Sequence, residues 1–183
     1  MKALKLPFTF DPNKIAAEIA QFSEDDYYFI YNTYVTENSL RSKHLIEPVN
    51  DSDGMPVFLP NEALKKCPYL LSILETFNCK KETFRIHSLA GGAVIKPHHD
   101  MCCGFEYGKV RLHIPVQTND EVVLKVEEQP IKMEPGESWY CNFHLKHEVQ
   151  NNSDQQRVHL ILDCLVNDWV KDIFEKASSH AIH

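Results

Sequence analysis

Residues 82–100 read ETFRIHSLAGGAVIKPHHD. Glu82 to Leu89 is a short run of β-type texture, Gly91-Gly92 supplies a break, and Ala93 to Lys96 resumes the run just before Pro97-His98-His99-Asp100. The same texture returns at Val110 to Thr118, Val122 to Glu127 and Gln156 to Val166. Asn119-Asp120, Pro135-Gly136 and Asn151 to Asp154 separate these runs with residues that tolerate turn geometry. Short strands punctuated this way predict a small antiparallel sandwich or barrel.

Upstream of Lys80 the texture differs. Ile15, Ala16, Ile19 and Phe22 recur at helical spacing behind Asp11-Pro12, a cap followed by a first-turn proline, so a helix is expected over Asp11 to Phe22. Tyr27 to Val35 is dense in aromatic and β-branched residues and reads as a strand. Ser39 to Pro60, rich in turn formers, reads as a mobile cover. A second helix is expected over Asn61 to Phe77, kinked or divided at Pro68, and a short third one over Asn167 to Lys176. His180 and His183 fall in a tail expected to fray. With no repeat or low-complexity linker, the expected organisation is one domain over 1–183. Residues 1–80 form a helical or mixed part packed on the sheet, 81–166 the β core, and 167–183 a helix and tail.

Composition narrows the function. The chain has 183 residues, 43% hydrophobic and 25% charged, long enough for a sizeable core. A net charge of -7 disfavours a nucleic-acid surface, so a small metabolite or peptide is the expected partner. Pro7 and Asp11 interrupt any export signal, and no stretch is apolar enough to span a membrane, which together predict a cytoplasmic protein. The six cysteines form no CxxC pair and are expected to be reduced thiols. Nothing in the sequence sets an oligomeric state.

Histidine placement carries the chemistry. In an extended segment, His98 and Asp100 leave the same face while His99 turns away, so the two can share one ion. A histidine from another strand would complete the two-histidine, one-carboxylate set that suits iron(II) and leaves positions open for a 2-oxo acid and dioxygen. His147 lies far enough downstream for strands to wind round a barrel and return. Arg157 follows it across the polar turn at Asn151 to Asp154, so a hairpin would face it to the same interior. A buried guanidinium needs an anion, and the outer carboxylate of 2-oxoglutarate fits its two-pronged fork. The ordinary alternative for Arg157 is a salt bridge, for instance to Asp163.

Taken together, Leu89 to His98, Arg111 to Val116, Gly136 to Tyr140, His147-Glu148-Val149, Asn152 and Arg157 resemble the aspartyl/asparaginyl β-hydroxylases, iron(II)- and 2-oxoglutarate-dependent dioxygenases. The resemblance covers roughly residues 82 to 166. It implies a mainly β fold with flanking helices around a double-stranded β-helix core, the jelly-roll or cupin-like arrangement. It implies that His98 and His147 bind iron, that Arg157 holds the outer carboxylate of 2-oxoglutarate, and that Arg111 and His113 hold the other one. A polar residue on the strand before the first ligand falls at His87, with Ser88 one position out of register. Some animal members lack a carboxylate at the position of Asp100. Its presence here is more similar to the bacterial branch, including free-proline hydroxylases.

The implied reaction hydroxylates an amino acid, a peptidyl Asp or Asn, or a related small substrate, with release of succinate and CO2. A cupin-like metalloenzyme that does not use 2-oxoglutarate, or a non-catalytic metal- or metabolite-binding module, stand as alternatives. Among the remaining candidates, His99 is expected beside the site or in solvent, His144 at the surface, and one of Trp139 and Tyr140 in the core. Cys102, Cys103, Phe105 and Tyr107 are expected in a loop after the metal motif.

Overall fold

The computed structural model describes residues 1–180. It contains β1 (Ala3–Thr9), α1 (Pro12–Ile19), β2 (Tyr28–Phe29), β3 (Leu40–His44), β4 (Ile46–Asn50), β5 (Pro56–Pro60) and α2 (Pro68–Thr76). Beyond Lys80 follow β6 (Lys81–Leu89), β7 (Val94–His98), β8 (Lys109–Gln117), β9 (Val122–Val126), β10 (Gln129–Ile131), β11 (Glu137–Cys141), β12 (His147–Asn151), β13 (Arg157–Leu165) and α3 (Asp168–His180). A seven-stranded sheet in the order β1-β11-β8-β13-β6-β3-β2 faces a four-stranded one in the order β10-β9-β12-β7, and every pairing is antiparallel. This is the expected jelly-roll core.

The central strands explain why the core and the site lie back to back. Successive side chains of a strand point to opposite faces. Phe84 and Ile86 of β6, Val110, Leu112 and Ile114 of β8, and Leu160, Leu162 and Cys164 of β13 join one apolar cluster, with Ile15, Leu70, Ile73, Phe77 and Phe174 from the helical side. The intervening residues Arg85, His87, Arg111, His113, Arg157 and Ile161 line a cavity on the other face. A second apolar cluster, including Leu89, Ile95, Leu124, Val126 and Val149, fills the space between the sheets around that cavity.

The helices end where local chemistry directs. Asp11 accepts from the backbone N–H groups of Asn13 (2.9 Å) and Lys14 (3.3 Å), capping α1 ahead of Pro12. Pro68 divides the second helical stretch into a single 3-10 turn at Leu64–Lys66 and α2. The start of α2 is capped from a distance: the Glu18 carboxylate accepts from the Tyr69 and Leu70 N–H groups, both at 2.8 Å. None of the described helices is long and apolar enough to cross a membrane.

The first 80 residues are more strand-rich than expected. Leu4 and Leu6 are buried on β1, which extends the large sheet beside β11. Ser39 to Pro60, read as a mobile cover, instead supplies β3, which pairs with β6, and the hairpin β4–β5. Pro48, Pro56 and Pro60 hid that hairpin, but its strands pair only with each other, and edge positions accommodate proline. Tyr27 to Val35 yields only the two-residue β2 and one isolated bridge from Val35 to Ile95. Ile30, Asn32, Tyr34 and Val35 line the cavity instead, so this stretch takes the covering role given to its neighbour.

Gly136 and Gly108 both have positive φ, but a Cβ on Gly136 would lie 2.1 Å from the Phe10 carbonyl oxygen, whereas one on Gly108 meets nothing within 4 Å. Gly108→Ala should therefore cost only the backbone strain, about 1–2 kcal/mol, and Gly136→Ala about 3 kcal/mol or more. Urea unfolding of the two variants checks the difference, and equal losses would refute it.

Candidate metal centre and cosubstrate pocket

His98 and His147 stand opposite one another in the β7–β12 register, and Asp100 follows immediately after β7, tied back by its N–H to the Phe143 carbonyl at 2.9 Å. One ligand atom from each of His98, Asp100 and His147 lies within 4.8 Å of the others. Strands β8 to β11 lie between the two histidines in the chain, and the return brings them together as direct cross-strand neighbours, with ring centroids 4.1 Å apart.

Both imidazoles are held the same way. His98 Nδ1 lies 2.8 Å from the Lys96 carbonyl and His147 Nδ1 2.9 Å from the Leu145 carbonyl. A carbonyl only accepts, so each Nδ1 carries the hydrogen and each Nε2 presents a lone pair, the form a metal requires. The Tyr34 ring stacks on His98 at 3.9 Å and Phe143 packs edge-on to His147 at 4.6 Å, restricting both rings. Burial pushes His147 down to about 4, which keeps it neutral.

Arg111 organises the carboxylate. Its Nε and NH2 donate to the two oxygens of Asp163 at 2.7 and 2.9 Å, and its NH1 donates to Asp100 Oδ2. Asp100 Oδ1 is left 3.6 Å from His98 Nε2. Burial opposes the Arg111 charge, but the hydrogen bonds and charge of Asp163, with Asp100, more than offset it and raise the guanidinium above its ordinary value. Against the same burial, Arg111 holds the Asp163 carboxyl below the usual range. The partner suggested by sequence for Arg157 thus belongs to Arg111.

Deeper in, Arg157 is 2% exposed and has no carboxylate partner among the described ion pairs. Its NH2 donates to His159 Nδ1 at 2.9 Å, while its Nε is buried without an acceptor. His159 Nδ1 must accept, so His113 Nδ1, 3.1 Å from it, carries a hydrogen. Burial pushes Arg157 down to about 10 and holds His87, His113 and His159 well below their ordinary values. The Nε2 atoms of His87 and His113 are also buried without partners. The cavity joining these groups to the candidate metal ligands has a volume of about 440 Å³, within the ~300–1,000 Å³ typical of small-molecule sites.

A model of the family described as Aspartyl/Asparaginyl beta-hydroxylase matches residues 15–166. The chain belongs to this family. An L-proline cis-4-hydroxylase of Rhizobium meliloti (strain 1021) is 32% identical over 101 residues, which span 54% of this chain and 36% of that protein. Among solved structures, an oxidoreductase of the 2OG-Fe(II) oxygenase family from Burkholderia pseudomallei superposes with TM-score 0.57 at 14% identity, covering 88% of this chain and 84% of that one. AviO1 from Streptomyces viridochromogenes Tue57 gives 0.54 at 11% identity, covering 91% and 90%. At those identities the likeness concerns the fold alone.

The residues of this β-hydroxylase family member fit iron and a keto-diacid on their own chemistry: three oriented ligands, and beyond them a buried guanidinium with an orphan N–H. Of the residues singled out in the sequence, His87, His98, Asp100, Arg111, His113, His147 and Arg157 all line this cavity. Ser88 turns away and bonds Gln156. His99 and His144 lie outside it: His99 Nδ1 contacts the His144 carbonyl, and His144 Nδ1 accepts from the Cys102 N–H while its Nε2 donates to the Tyr107 hydroxyl oxygen. Tyr140 is the core member of its pair, while Trp139 donates to Glu137. Sequence reasoning missed Arg85, Asn32 and Tyr34 as cavity residues and His159 as the contact of Arg157. The alternation Arg85-Ile86-His87 was the available signal for the first.

Three buried neutral histidines make stability depend on acid. Unfolding lets His87, His113 and His159 take up protons near pH 6.5, whereas in the folded chain they stay neutral beside Arg85, Arg111 and Arg157. The unfolded state thus binds more protons, and stability falls as pH drops below that value by up to about 1.4 kcal/mol per pH unit for each histidine. In metal-free protein the urea midpoint should drop clearly between pH 7.5 and 5.5. An unchanged midpoint would contradict the buried neutral trio.

Proposed function

We propose that this protein is an iron(II)- and 2-oxoglutarate-dependent dioxygenase that hydroxylates a free amino acid or similar small substrate. The observation that carries the reading is a single cavity with His98, Asp100 and His147 on one wall and the unpaired Arg157 guanidinium at its depth. The relative described as an L-proline cis-4-hydroxylase supports the substrate class, although the matched stretch spans little more than a third of that protein.

When bound, iron would couple oxidative decarboxylation of 2-oxoglutarate, giving succinate and CO2, to insertion of one oxygen atom from dioxygen into a substrate C–H bond. The chain's own residues position the reactants. His98 and His147 offer Nε2 lone pairs, and their Nδ1 hydrogens are already committed to backbone carbonyls, so little reorientation is needed. Arg111 keeps Asp100 aimed, and Asp163 in turn fixes Arg111. Two of the five Arg111 N–H donors remain for the inner carboxylate of the cosubstrate, beside His113. Arg157 receives the outer carboxylate, which supplies the anion that its buried charge lacks. Tyr34, Phe143 and Ile95 wall the metal side and limit water.

Two measurements test this reading. Anaerobically reconstituted protein, exposed to oxygen with 2-oxoglutarate, should release succinate, and His147→Ala should lose both iron binding and succinate formation. Arg157→Ala should keep its iron but raise the half-saturating cosubstrate concentration about 10- to 150-fold, the loss of one charged hydrogen-bond pair. An iron-loaded wild type that yields no succinate would favour a non-catalytic binding module, and turnover indifferent to 2-oxoglutarate would favour cupin-like chemistry.

A further inference from the structure

Three of the four arginines have evident places. Arg41 pairs with Glu24, Arg111 clamps Asp163 and Asp100, and Arg157 closes the depth of the cavity. Arg85 does not. It lies on β6 opposite Ile161 of β13 and beside His44 of β3, and it lines the same cavity as the metal ligands. None of the described ion pairs includes it, and its Nε is buried without an acceptor. Burial, together with the nearby Arg111 charge, lowers its guanidinium below the ordinary value; Asp163 and Asp100, which act in the other direction, are both held by Arg111.

The covering stretch supplies a complementary group. Asn32 lines the cavity, and its Oδ1 is buried with no donor. An unpartnered forked cation and an unpartnered amide oxygen on one cavity call for a ligand that brings an anion and an N–H donor. The cosubstrate does not fill both needs. Its two carboxylates are already matched by Arg157 and by the metal side with the free Arg111 donors, and it carries no N–H. A third anion is required, and an α-amino or imino acid has the right pair of groups.

We propose, resting on the oxygenase reading above, that Arg85 receives the substrate's carboxylate and Asn32 its amino nitrogen, so that the enzyme selects a free amino or imino acid over the same residue within a peptide. Peptide linkage would convert the carboxylate to a neutral amide and leave the Arg85 charge buried and unpaired. A single site thereby distinguishes two substrate classes that the metal ligands cannot tell apart.

The test uses iron-loaded protein with 2-oxoglutarate and follows succinate while free L-amino acids, L-proline among them, are screened. The best acid is then compared with its carboxamide and its N-acetyl derivative. The carboxamide should need about 10- to 150-fold higher concentration for half-maximal stimulation, the factor for one charge-assisted contact. Arg85→Met should raise the KM for the acid by the same factor and erase the preference over the carboxamide, while the half-saturating cosubstrate concentration moves less than about three-fold. Arg85→Lys, which keeps the charge without the fork, should recover part of the loss. Asn32→Leu should weaken the free acid but leave the N-acetyl derivative no worse. Anaerobic calorimetry of the acid binding to the protein loaded with iron and cosubstrate gives the same ranking without turnover. Because Arg85 has no ion-pair partner among the described residues to lose, Arg85→Met should melt at or above the wild-type temperature, which separates the effect from misfolding. Equal use of acid and carboxamide, or a variant whose cosubstrate requirement rises while its amino-acid KM stays put, overturns this assignment. No succinate from wild type under any condition defeats the oxygenase reading and this inference with it. Succinate formation with indifference to the carboxylate defeats this inference alone.

Discussion

The Arg111 fork joins the two sheets at the mouth of the cavity. Arg111 rises from β8 and grips Asp163 of the neighbouring β13 in the large sheet, then reaches across to Asp100, which leaves β7 of the small sheet. Without it, Asp100 sits on an irregular segment held to the rest mainly through its N–H to Phe143. A carboxylate on such a segment has many orientations, and the fork removes most of them. Its other oxygen is left toward His98 Nε2, so the ion pair that stiffens the barrel also shapes the metal position. Asp163, which touches none of the proposed metal ligands, matters because it orients the residue that does.

The interior face of the large sheet shows the compromise that such a site demands. β13 is buried on both faces: Val158, Leu160, Leu162 and Cys164 pack toward the helices, and Arg157, His159, Ile161 and Asp163 face inward. The outward half supplies ordinary apolar stabilisation. The inward half carries groups that are costly to bury, and only Asp163 finds a full partner within the chain. Arg157 relies on a neutral imidazole, and Arg85 has no ion-pair partner among the described residues. Charges left short in this manner are tolerated where a ligand completes them, which ties the apolar cluster on one side of the strand to the chemistry on the other.

Legibility of these features in the sequence followed how local each one is. The runs after Lys80 and the H-x-D spacing were readable because period-two alternation and strand texture are properties of a few adjacent residues. β1 escaped notice although Leu4, Leu6 and Phe8 alternate, because two lysines ahead of an apolar patch at the N-terminus also fit the start of an export signal. The β4–β5 hairpin was obscured by proline, which counts against a strand only when both edges are paired. Asp163 was legible as an acid on an apolar strand but not as Arg111's partner, since the β8–β13 register that sets 111 against 163 is a tertiary fact. Arg85 and Asn32 were least accessible. What distinguishes them is the absence of a partner, and absence appears only when every neighbour has been placed.

That distinction bears on how a family site acquires a particular substrate. The proposed metal ligands, the Arg111 fork and Arg157 are set by the sheets: His98 faces His147, and Arg111 faces Asp163. Asn32 and Tyr34 instead come from the Ile30–Val35 stretch, which makes a single β bridge and is otherwise outside the sheets. Its backbone bonds, such as Ile30 to Leu40 and Lys96 to Tyr34, hold it in place but set no strand register, so its residues can change without shifting one, whereas those of the strands cannot. Arg85 falls between these cases: its backbone is fixed in β6, but its side chain reaches a cavity wall that the loosely paired stretch completes. On the proposed reading, recognition of a substrate at this position can therefore vary while the metal position stays put, because the two are built on parts of the chain with different freedom to change.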